Sequence, residues 1–508
     1  MKRFTLFCIL SVMVCIFSYF TEALHAQNTL TSPIETADLD QDAVLSISSF
    51  GDVKNVVNGI MKKMAIPGIP EDILGEENPN IPKGLSDSGP IGIIVKGTKG
   101  PIPSLTGFIP VTEDASLDSI TEMFSFLMGL NPKIEENHFL FSTTPDTEVP
   151  DASVLGGLNE RYLVAFQLSV SKLAPFIPLL AAQAGPEVDM KAIQTLLKET
   201  KTILVGLGTD KSSGDLFLDL AMNPTPDSDT EKRMAKMATL KSKVAGFYDP
   251  EFMAGFQGTF LLTSDVAKNM IQAINDDNTI EDELREILIG TIKSGKIDVA
   301  FSFNLKYDDA KKEKGIGFAA VSIHDGSLVK KFIETKGESG DWEVEMDFAT
   351  VGKGIKAHRV TLETGTECVV GLSKKFCFVA FGNEDNLAVL KEKIKETLNA
   401  PDPKTTLQGH YDLGKLPQEI SSELKGKITI SALTSENNSS ARIYIPQDAL
   451  ISLYHTLMST MSHMGDDINI DLNENDLNMT DVNMIDVTVE ESDAEESDDS
   501  FTLTPYEE

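Results

Sequence analysis

Two stretches of the sequence share one pattern, and that pattern decides the predicted fold. The first begins Tyr162-Leu-Val-Ala-Phe-Gln-Leu-Ser-Val-Ser-Lys-Leu-Ala-Pro-Phe-Ile177, and the second begins Leu407-Gln-Gly-His-Tyr-Asp-Leu-Gly-Lys-Leu-Pro-Gln-Glu-Ile420. In each, a strand pattern runs into Lys-Leu with a proline nearby and an isoleucine five residues after the lysine. Both then continue into two alternating segments around a polar turn and a closing helix. A repeat of this kind indicates two related units, each with an apolar face that the other can bury.

The patterns outside the repeat extend this architecture to most of the chain. Segments that alternate apolar and polar residues predict strands with one face toward a core, and amphipathic segments predict helices. We therefore predict an α+β fold of two related halves, each a mostly antiparallel β-sheet with packed helices, produced by an internal duplication. The predicted organisation is a signal peptide (1–26), a polar leader (27–41), a first half (42–255), a second half (256–464) and an acidic disordered tail (465–508).

The N-terminal residues have the three parts of a secretory signal peptide. Lys2 and Arg3 supply positive charge, residues 4–20 are an apolar run, and Ala23-Leu-His-Ala26 offers small residues for cleavage. We expect an exported protein, whether periplasmic, on the cell surface or secreted. An uncleaved anchor is the alternative, but seventeen residues are at the short limit for crossing a bilayer. No stable membrane span is expected once the signal is removed.

Negative charge dominates the composition and is concentrated in the tail. The net charge is −34, and residues 465–508 carry sixteen Asp or Glu without a single Lys or Arg. So much like charge prevents a segment from packing alone, which predicts disorder for the tail. An acidic protein also repels phosphate backbones, so nucleic acid is not an expected partner.

Two cysteines remain after the predicted signal peptide, Cys368 and Cys377. The sequence around them predicts a hairpin that turns through residues 371–374 and places the two cysteines directly opposite each other. Side chains of opposite residues are close enough for a bridge after a small movement, and export makes oxidation plausible. We predict a disulfide, with two buried free thiols as the alternative. Without histidines nearby, the pair is a poor metal site.

One motif in the first copy of the repeat suggests catalysis. Ser169 and Lys172 have the Ser-x-x-Lys spacing of serine acyl enzymes, in which the lysine accepts the proton of the serine. A Ser-x-Asn element, which such enzymes also use, is absent from the interval before Lys293-Ser294-Gly295. A serine acyl hydrolase using Ser169 and Lys172 is therefore kept only as an unfavoured alternative, and no catalytic residue is predicted.

Three further candidates fail on their own chemistry, so no cofactor or metal is predicted. Gly206 and Gly208 follow a strand but lead into another strand, so no helix N-terminus is available to bind an anion. Asp38-Leu-Asp-Gln-Asp42 opens like a calcium loop, but Ala43 replaces the turn glycine, and a solvated acidic leader is the better interpretation. The seven histidines include no pair at three- or four-residue spacing, as a zinc site normally requires.

The most informative positive feature is a set of strongly apolar runs at residues 123–130, 173–182 and 450–458. Such runs most often form core and interfaces. Two halves that meet through them could also leave a groove for an apolar ligand. We predict an exported, non-catalytic binding or structural protein with an unknown protein or apolar ligand as its partner. A carrier of lipid or another apolar ligand between the two halves is the alternative.

Overall fold

The computed structural model is an α+β protein with a large antiparallel sheet of 18 strands and nine helices in the part of the chain that it describes. That part comprises residues 30, 32–64, 74, 83–97, 104–123, 130–144, 147–170, 172, 197–307, 313–352, 354–399, 406–417 and 424–464. The predicted signal peptide and the whole of the predicted tail (465–508) lie outside these residues. Residues up to Thr456 group into one compact unit, and a second unit begins at Leu457.

The strands are numbered in chain order. They are β1 (Ala43–Ile47), β2 (Ile91–Lys96), β3 (Ser104–Pro110), β4 (Asn131–Glu135), β5 (His138–Ser142), β6 (Val164–Ser169), β7 (Thr200–Thr209), β8 (Leu216–Pro224), β9 (Ala254–Leu261), β10 (Lys296–Tyr307), β11 (Glu313–Ser322), β12 (Glu343–Thr350), β13 (Lys356–Thr361), β14 (Glu367–Leu372), β15 (Phe376–Phe381), β16 (Leu407–Asp412), β17 (Lys427–Thr434) and β18 (Ser439–Ile445).

The helices are also numbered in chain order. They are α1 (Phe50–Met64), α2 (Leu117–Met123), α3 (Leu158–Arg161), α4 (Asp229–Ala238), α5 (Ser264–Asp276), α6 (Asp282–Lys293), α7 (Gly326–Glu338), α8 (Asn386–Asn399) and α9 (Gln447–Met464). Several begin where a side chain satisfies a free backbone N–H. The hydroxyls of Ser228 and Thr263 cap α4 and α5, and the carboxylate of Asp325 caps α7.

All strand pairs in the described sheet are antiparallel and follow one continuous path. The order across the sheet is β4-β5-β3-β2-β1-β6-β7-β8-β18-β17-β16-β9-β10-β11-β15-β14-β13-β12. On one side of the β8–β18 pair, β3-β2-β1-β6-β7-β8 follow one another. On its other side, β11-β10-β9-β16-β17-β18 repeat that order of pairing. The β8–β18 pair, which we call the seam, therefore joins two regions of matching connectivity.

The two faces of the central strands differ in how they are covered. In β7 the burial alternates strictly: Thr202, Leu204, Gly206 and Gly208 are buried, whereas the residues between them are only half-buried. Alternate residues of a strand point to opposite faces, so one face is sealed and the other is not. We call the sealed face the arm face, because residue 30 and residues 32–39 lie on it, and the other one the apolar face.

Within the described part of the chain, helices cover the apolar face at both sides of the sheet but not in its centre. On the first-half side, Ile120 of α2 packs with a cluster from β3 and β5. On the second-half side, Met270 of α5 packs against Ile297 and Val299 of β10. The helix α8 packs on the arm face through Leu390 and Ile394. The central strands β6, β7 and β8 thus keep half-buried apolar side chains on the apolar face.

Two features of the predicted organisation differ from the structure. The proposed boundary at residues 255 and 256 falls inside β9, which pairs with both β10 and β16. Within the predicted polar leader, Leu30 and Ile34 are buried in the core beside Val44. Because polar residues surround these two aliphatic residues in the sequence, the pattern predicts a solvated leader, although the leader carries two buried side chains.

The predicted disulfide is not formed. Both thiols are free, because the register of the hairpin places Cys368 opposite Phe381 and Cys377 opposite Leu372. The cysteines are therefore four residue rows apart, or about 13 Å along the strands, which is beyond the reach of a bridge. The predicted turn included residues 371 and 372, but buried Leu372 continues the strand. The turn instead comprises residues 373–375.

Both thiols are expected to resist alkylation in the folded protein. Burial raises the pKa of Cys368 and that of Cys377 to about 12, so little reactive thiolate exists near neutral pH. Iodoacetamide at pH 8 should label them at least about a hundredfold more slowly in the native protein than in urea. The Cys377→Ser variant distinguishes the labelling of Cys368 from that of Cys377. Loss of free thiol in non-reducing denaturant would show that a bridge forms after all.

Candidate functional site

A buried ion pair lies at the centre of the seam. The register of β8 and β18 places Asp219 directly opposite Arg442. The guanidinium donates two parallel hydrogen bonds of 2.7 Å, from Nε to Oδ1 and from Nη2 to Oδ2 of Asp219. Asp219 is only 1% exposed, whereas 25% of the Arg442 side chain is exposed. The pair therefore fixes the register of the seam and presents one edge of the guanidinium to solvent.

Neighbouring aromatic residues complete this cluster. The hydroxyl of Tyr162 donates to Oδ2 of Asp219 at 3.1 Å, and Cζ of Arg442 lies 4.5 Å from the centroid of the Phe217 ring. Burial and the charge of Asp219 raise the pKa of Tyr162, so its hydroxyl remains a donor. The hydrogen bonds to Asp219 raise the pKa of Arg442. Tyr162 and Arg442 therefore keep their protons at neutral pH and donate hydrogen bonds to Asp219.

Gly206 and Gly208 make room for these rings. A Cβ atom on Gly206 would lie 2.6 Å from the ring of Tyr162, and one on Gly208 would lie 2.2 Å from the ring of Phe217. Real Cβ atoms do not approach rings so closely, so both positions require glycine. The glycine pair therefore serves packing on the arm face.

Residue 30 and residues 32–39, which we call the N-terminal arm, lie across the arm face. Their backbone is bound by side chains from both sides of the seam, namely Gln167 of β6, Ser431 of β17, Ser440 of β18 and Asn438 in the turn before β18. Arg161 of α3 also donates to the carbonyl of Glu35 at 2.9 Å. The arm consequently connects the two regions that the seam joins.

A cleft of about 480 Å³ remains between the arm and the sheet. Its lining combines aliphatic arm residues with the aromatic and charged cluster of the seam: Leu30, Ser32, Pro33, Ile34, Glu35, Arg161, Tyr162, Phe217, Asp219 and Arg442. Nη1 of Arg442 has no hydrogen-bond partner among the described residues, although the other two nitrogens of this guanidinium bind Asp219. The cleft therefore offers donors beside an apolar wall.

The apolar face of the central strands forms a broad patch. The pairing register places aliphatic side chains in rows, of which one runs Leu45, Phe166, Val205, Leu220 and Ala441. We call the following residues the apolar patch: Leu45, Ile47, Val164, Phe166, Leu168, Ile203, Val205, Leu207, Leu218, Leu220, Met222 and Ile443. None of them is fully buried, and Phe166 is 40% exposed.

Helix α1 runs past one edge of this patch. It begins after β1, and Nζ of Lys63 near its end donates to Oε1 of Gln447, which follows β18. The fifteen residues of α1 extend about 22 Å. The distance from β1 to β18 is four strand spacings, or about 19 Å, so the helix is long enough to reach from one strand to the other. No residue of α1 is buried. Like α1, helix α6 lies in the connection between two adjacent strands, but it buries Leu284, Ile287 and Ile292. By comparison, α1 packs far less closely.

The two residues of the predicted acyl-enzyme motif lie near each other, but their polar groups bind the backbone. Ser169 is the last residue of β6, and its hydroxyl lies 3.4 Å from the carbonyl oxygen of Gln41. Nζ of Lys172 forms an ion pair of 2.9 Å with Asp42 and lies 3.5 Å from the same carbonyl oxygen. Ser169 stands in a strand rather than at the start of a helix, as the motif requires. Catalysis by this pair stays the unfavoured alternative, and no observation tests it.

Metal binding finds no support in the described part of the chain. No group of three or more His, Cys, Asp or Glu side chains there is placed to hold a metal ion. In the calcium-like segment Asp38 and Asp40 are exposed, while Asp42 is buried and paired with Lys172. Among the histidines, His410 is buried and its Nε2 donates to the carbonyl of Phe252 at 2.8 Å. Burial lowers the pKa of His410 to about 4, so it is neutral at pH 7.

The important residues of the seam were not identified from the sequence. Asp219 and Arg442 are the charged residues of two strands that are mostly apolar or small, and the polar residues Gln167, Ser431 and Ser440 occupy neighbouring positions on the same face. A signal did exist, because a polar residue at an inward position of a buried strand demands a partner. Without the pairing of β8 with β18, however, nothing connects residue 219 with residue 442.

Comparisons with known proteins do not assign the chain. No protein family, no curated protein and no solved structure matches it. Among the described residues, no helix is long and apolar enough to cross a membrane. Function must therefore be argued from the seam, the arm, the cleft and the apolar patch.

Removal of Asp219 should destabilise the protein. The Asp219→Ala change leaves Arg442 without its counter-ion, and we expect a loss of about 2–3 kcal/mol in the free energy of unfolding, measured with urea. Removal of one partner from a fully buried ion pair costs about 3–5 kcal/mol. The loss expected here is smaller because Arg442 is partly solvated. A double variant with Asp219→Leu and Arg442→Met should lose less than Asp219→Ala, since no buried charge remains.

An exposed ion pair provides the control for this experiment. Arg359 and Glu345 are 2.6 Å apart but about half exposed, so Glu345→Ala should change stability by at most about 1 kcal/mol. Equal effects of Asp219→Ala and Glu345→Ala would contradict the assigned role of the seam pair.

Proposed function

We propose that the protein is an exported, non-catalytic binding protein whose ligand is apolar and lies against the apolar patch. The partial exposure of that patch is the observation that carries the proposal. A lone exposed apolar residue is ordinary on a protein surface, but exposed Phe166 lies in a patch with eleven half-buried apolar side chains. A contiguous apolar patch that stays partly open to solvent marks an interaction site. This proposal combines the predicted binding function with the predicted apolar carrier, and it relocates the ligand.

The ligand is proposed to lie on the central strands rather than in a gap between two halves. Backbone pairing of β8 with β18 closes the interval between the two regions, and the Asp219–Arg442 pair and the arm bridge it on the arm face. The apolar face of the same strands carries no comparable cover among the described residues. Helix α1, with its half-buried Val57, Ile60 and Met61, borders this face. A ligand there would contact aliphatic side chains almost exclusively.

The energetics favour a long aliphatic chain as the ligand. Burial of one methylene group contributes about 0.8 kcal/mol, so ten methylenes contribute about 8 kcal/mol before the costs of association. The patch extends about 19 Å across five strands and about 14 Å along them, which accommodates an extended chain of this length. Because the lining is Leu, Ile, Val, Met and a single Phe, we propose a lipid acyl chain.

We further infer that the two regions arose by internal duplication. Support comes from the matching order of pairing on both sides of the seam and from equivalent positions within it. Gly206 of β7 corresponds to Ser431 of β17 in the sequence repeat, and these residues pair with Asp219 and Arg442, respectively. The two members of the seam ion pair thus occupy equivalent positions that face each other. An approximate two-fold axis would pass between them.

A charge in the centre of the patch should abolish ligand binding. Phe166→Asp places a carboxylate among aliphatic side chains, so we expect affinity for a fluorescent long-chain fatty acid to fall at least about tenfold. Stability should change little because Phe166 is already 40% exposed. Fluorescence titration measures the affinity, and native mass spectrometry of the purified protein detects any lipid that co-purifies.

Ile134→Asp is the matched control. Ile134 lies in β4, outside the patch, and is 38% exposed, so this variant should bind the fatty acid as the unmodified protein does. Absence of both fatty-acid binding and co-purified lipid would refute the proposal. Self-association that Phe166→Asp abolishes, without any binding of fatty acid, would assign the patch to a second copy of the chain instead.

A further inference from the structure

The N-terminal arm is held by side chains that bind its backbone. Oγ of Ser431 accepts a hydrogen bond of 3.0 Å from the N–H of Leu30, and Oγ of Ser440 accepts one of 3.1 Å from the N–H of Ile34. Nδ2 of Asn438 donates to the carbonyl of Ile34 at 3.1 Å. Backbone groups are the same in every peptide, so these contacts select an extended conformation rather than a sequence.

Gln167 binds the arm as a neighbouring strand would. Its Oε1 accepts from the N–H of Ala37 at 2.7 Å, and its Nε2 donates to the carbonyl of the same residue at 2.6 Å. A side-chain amide carries the same donor and acceptor as a peptide group, so it satisfies both polar atoms of Ala37. Gln167 is 2% exposed, which keeps water from competing for these bonds.

Selectivity comes from two apolar anchors. Leu30 and Ile34 are 6% and 7% exposed and belong to the core cluster that contains Leu204 and Ala221. These anchors are four residues apart. The groove that receives them spans the seam, since the hydrogen-bonding side chains come from β6 on one side and from β17 and β18 on the other. An occupant must therefore be extended and must carry aliphatic residues at this spacing.

The arm is attached in a way that permits release. Among the described residues, no backbone–backbone hydrogen bond is made by residues 30–39, and ladder pairing begins only with Asp42 and β1. The arm also leaves the groove partly empty, because the cleft of about 480 Å³ lies between it and the sheet. Asp38 and Asp40, at the junction with β1, are exposed. Release of the arm would leave the sheet ladder intact.

We propose that this groove is a peptide-binding site that the arm fills in cis. Its occupant is an extended peptide segment with aliphatic side chains four residues apart. The arm is the occupant that the structure shows, and the same segment supplied separately takes its place. This inference is independent of the proposed apolar ligand, because the groove and the apolar patch lie on opposite faces of the sheet.

Cleavage of the full chain at the arm junction tests the proposal. A protease-cleavage sequence inserted after Asp40 allows the chain to be cut after folding, and a fluorescent peptide of residues 30–40 is then added. We expect the cut chain to exchange its arm for the peptide, whereas the uncut chain takes up at least tenfold less. A matched peptide with Leu30→Ser and Ile34→Ser should bind at least tenfold more weakly. Fluorescence anisotropy measures both affinities.

Three results would overturn the proposal. The first is a cut chain that stays folded by circular dichroism yet takes up no peptide. The second is a chain that unfolds on cleavage, which would make the arm an integral part of the core. The third is equal binding of the two peptides, which would show that the anchors select nothing.

A substitution in the arm of the uncut chain gives an independent readout. Ile34→Ser removes an anchor from the arm but not from the added peptide, so we expect it to increase peptide uptake by the uncut chain at least threefold. Asp38→Ser is the control, because the Asp38 side chain is exposed. No difference between these variants would contradict the role of Ile34 as an anchor of the arm.

Discussion

The pairing of β8 with β18 is the constraint on which the rest of the structure depends. It joins two regions that are far apart in sequence through seven opposed residue pairs, from Ser439 opposite Met222 to Ile445 opposite Leu216. The pairing also brings Asp219 to Arg442, and each charge would be costly in the core without the other. The ion pair, with Tyr162 and Phe217 packed around it, makes the arm face of the seam polar, so the hydrogen-bonding groups on this face need partners. The backbone of the arm supplies such partners to side chains of both regions.

The opposite faces of the central strands consequently have different roles. On the arm face, buried polar side chains find partners in the seam and in the arm. On the apolar face, the same strands present aliphatic rows, and the helices that the structure describes cover this face at the two sides of the sheet. This inverts the usual arrangement, in which a sheet buries its apolar face and exposes its polar one. A buried polar face restricts the register strongly, whereas an incompletely covered apolar face provides area for an apolar ligand.

Local patterns were enough to predict the α+β class and the antiparallel strands, because alternation and helical periodicity arise from residues close in sequence. Three features required contacts that no local pattern reports. The hairpin register of Cys368 and Cys377 depends on where Leu372 is buried. The burial of Leu30 and Ile34 depends on a groove formed from strands more than a hundred residues away. The ion pair of Asp219 with Arg442 depends on a seam between strands 223 residues apart. The repeat at residues 162 and 407 predicted related units but not that their last strands would pair.

Native-state hydrogen exchange of β8 and β18 tests most directly whether the seam unites the two regions. The account predicts that the seam amides of both strands exchange only by global unfolding, with one common opening free energy that Asp219→Ala lowers equally in both. If amides of one strand exchanged through a separate opening of lower free energy, while the other strand stayed protected, the two regions would be independent units and the central claim would be contradicted.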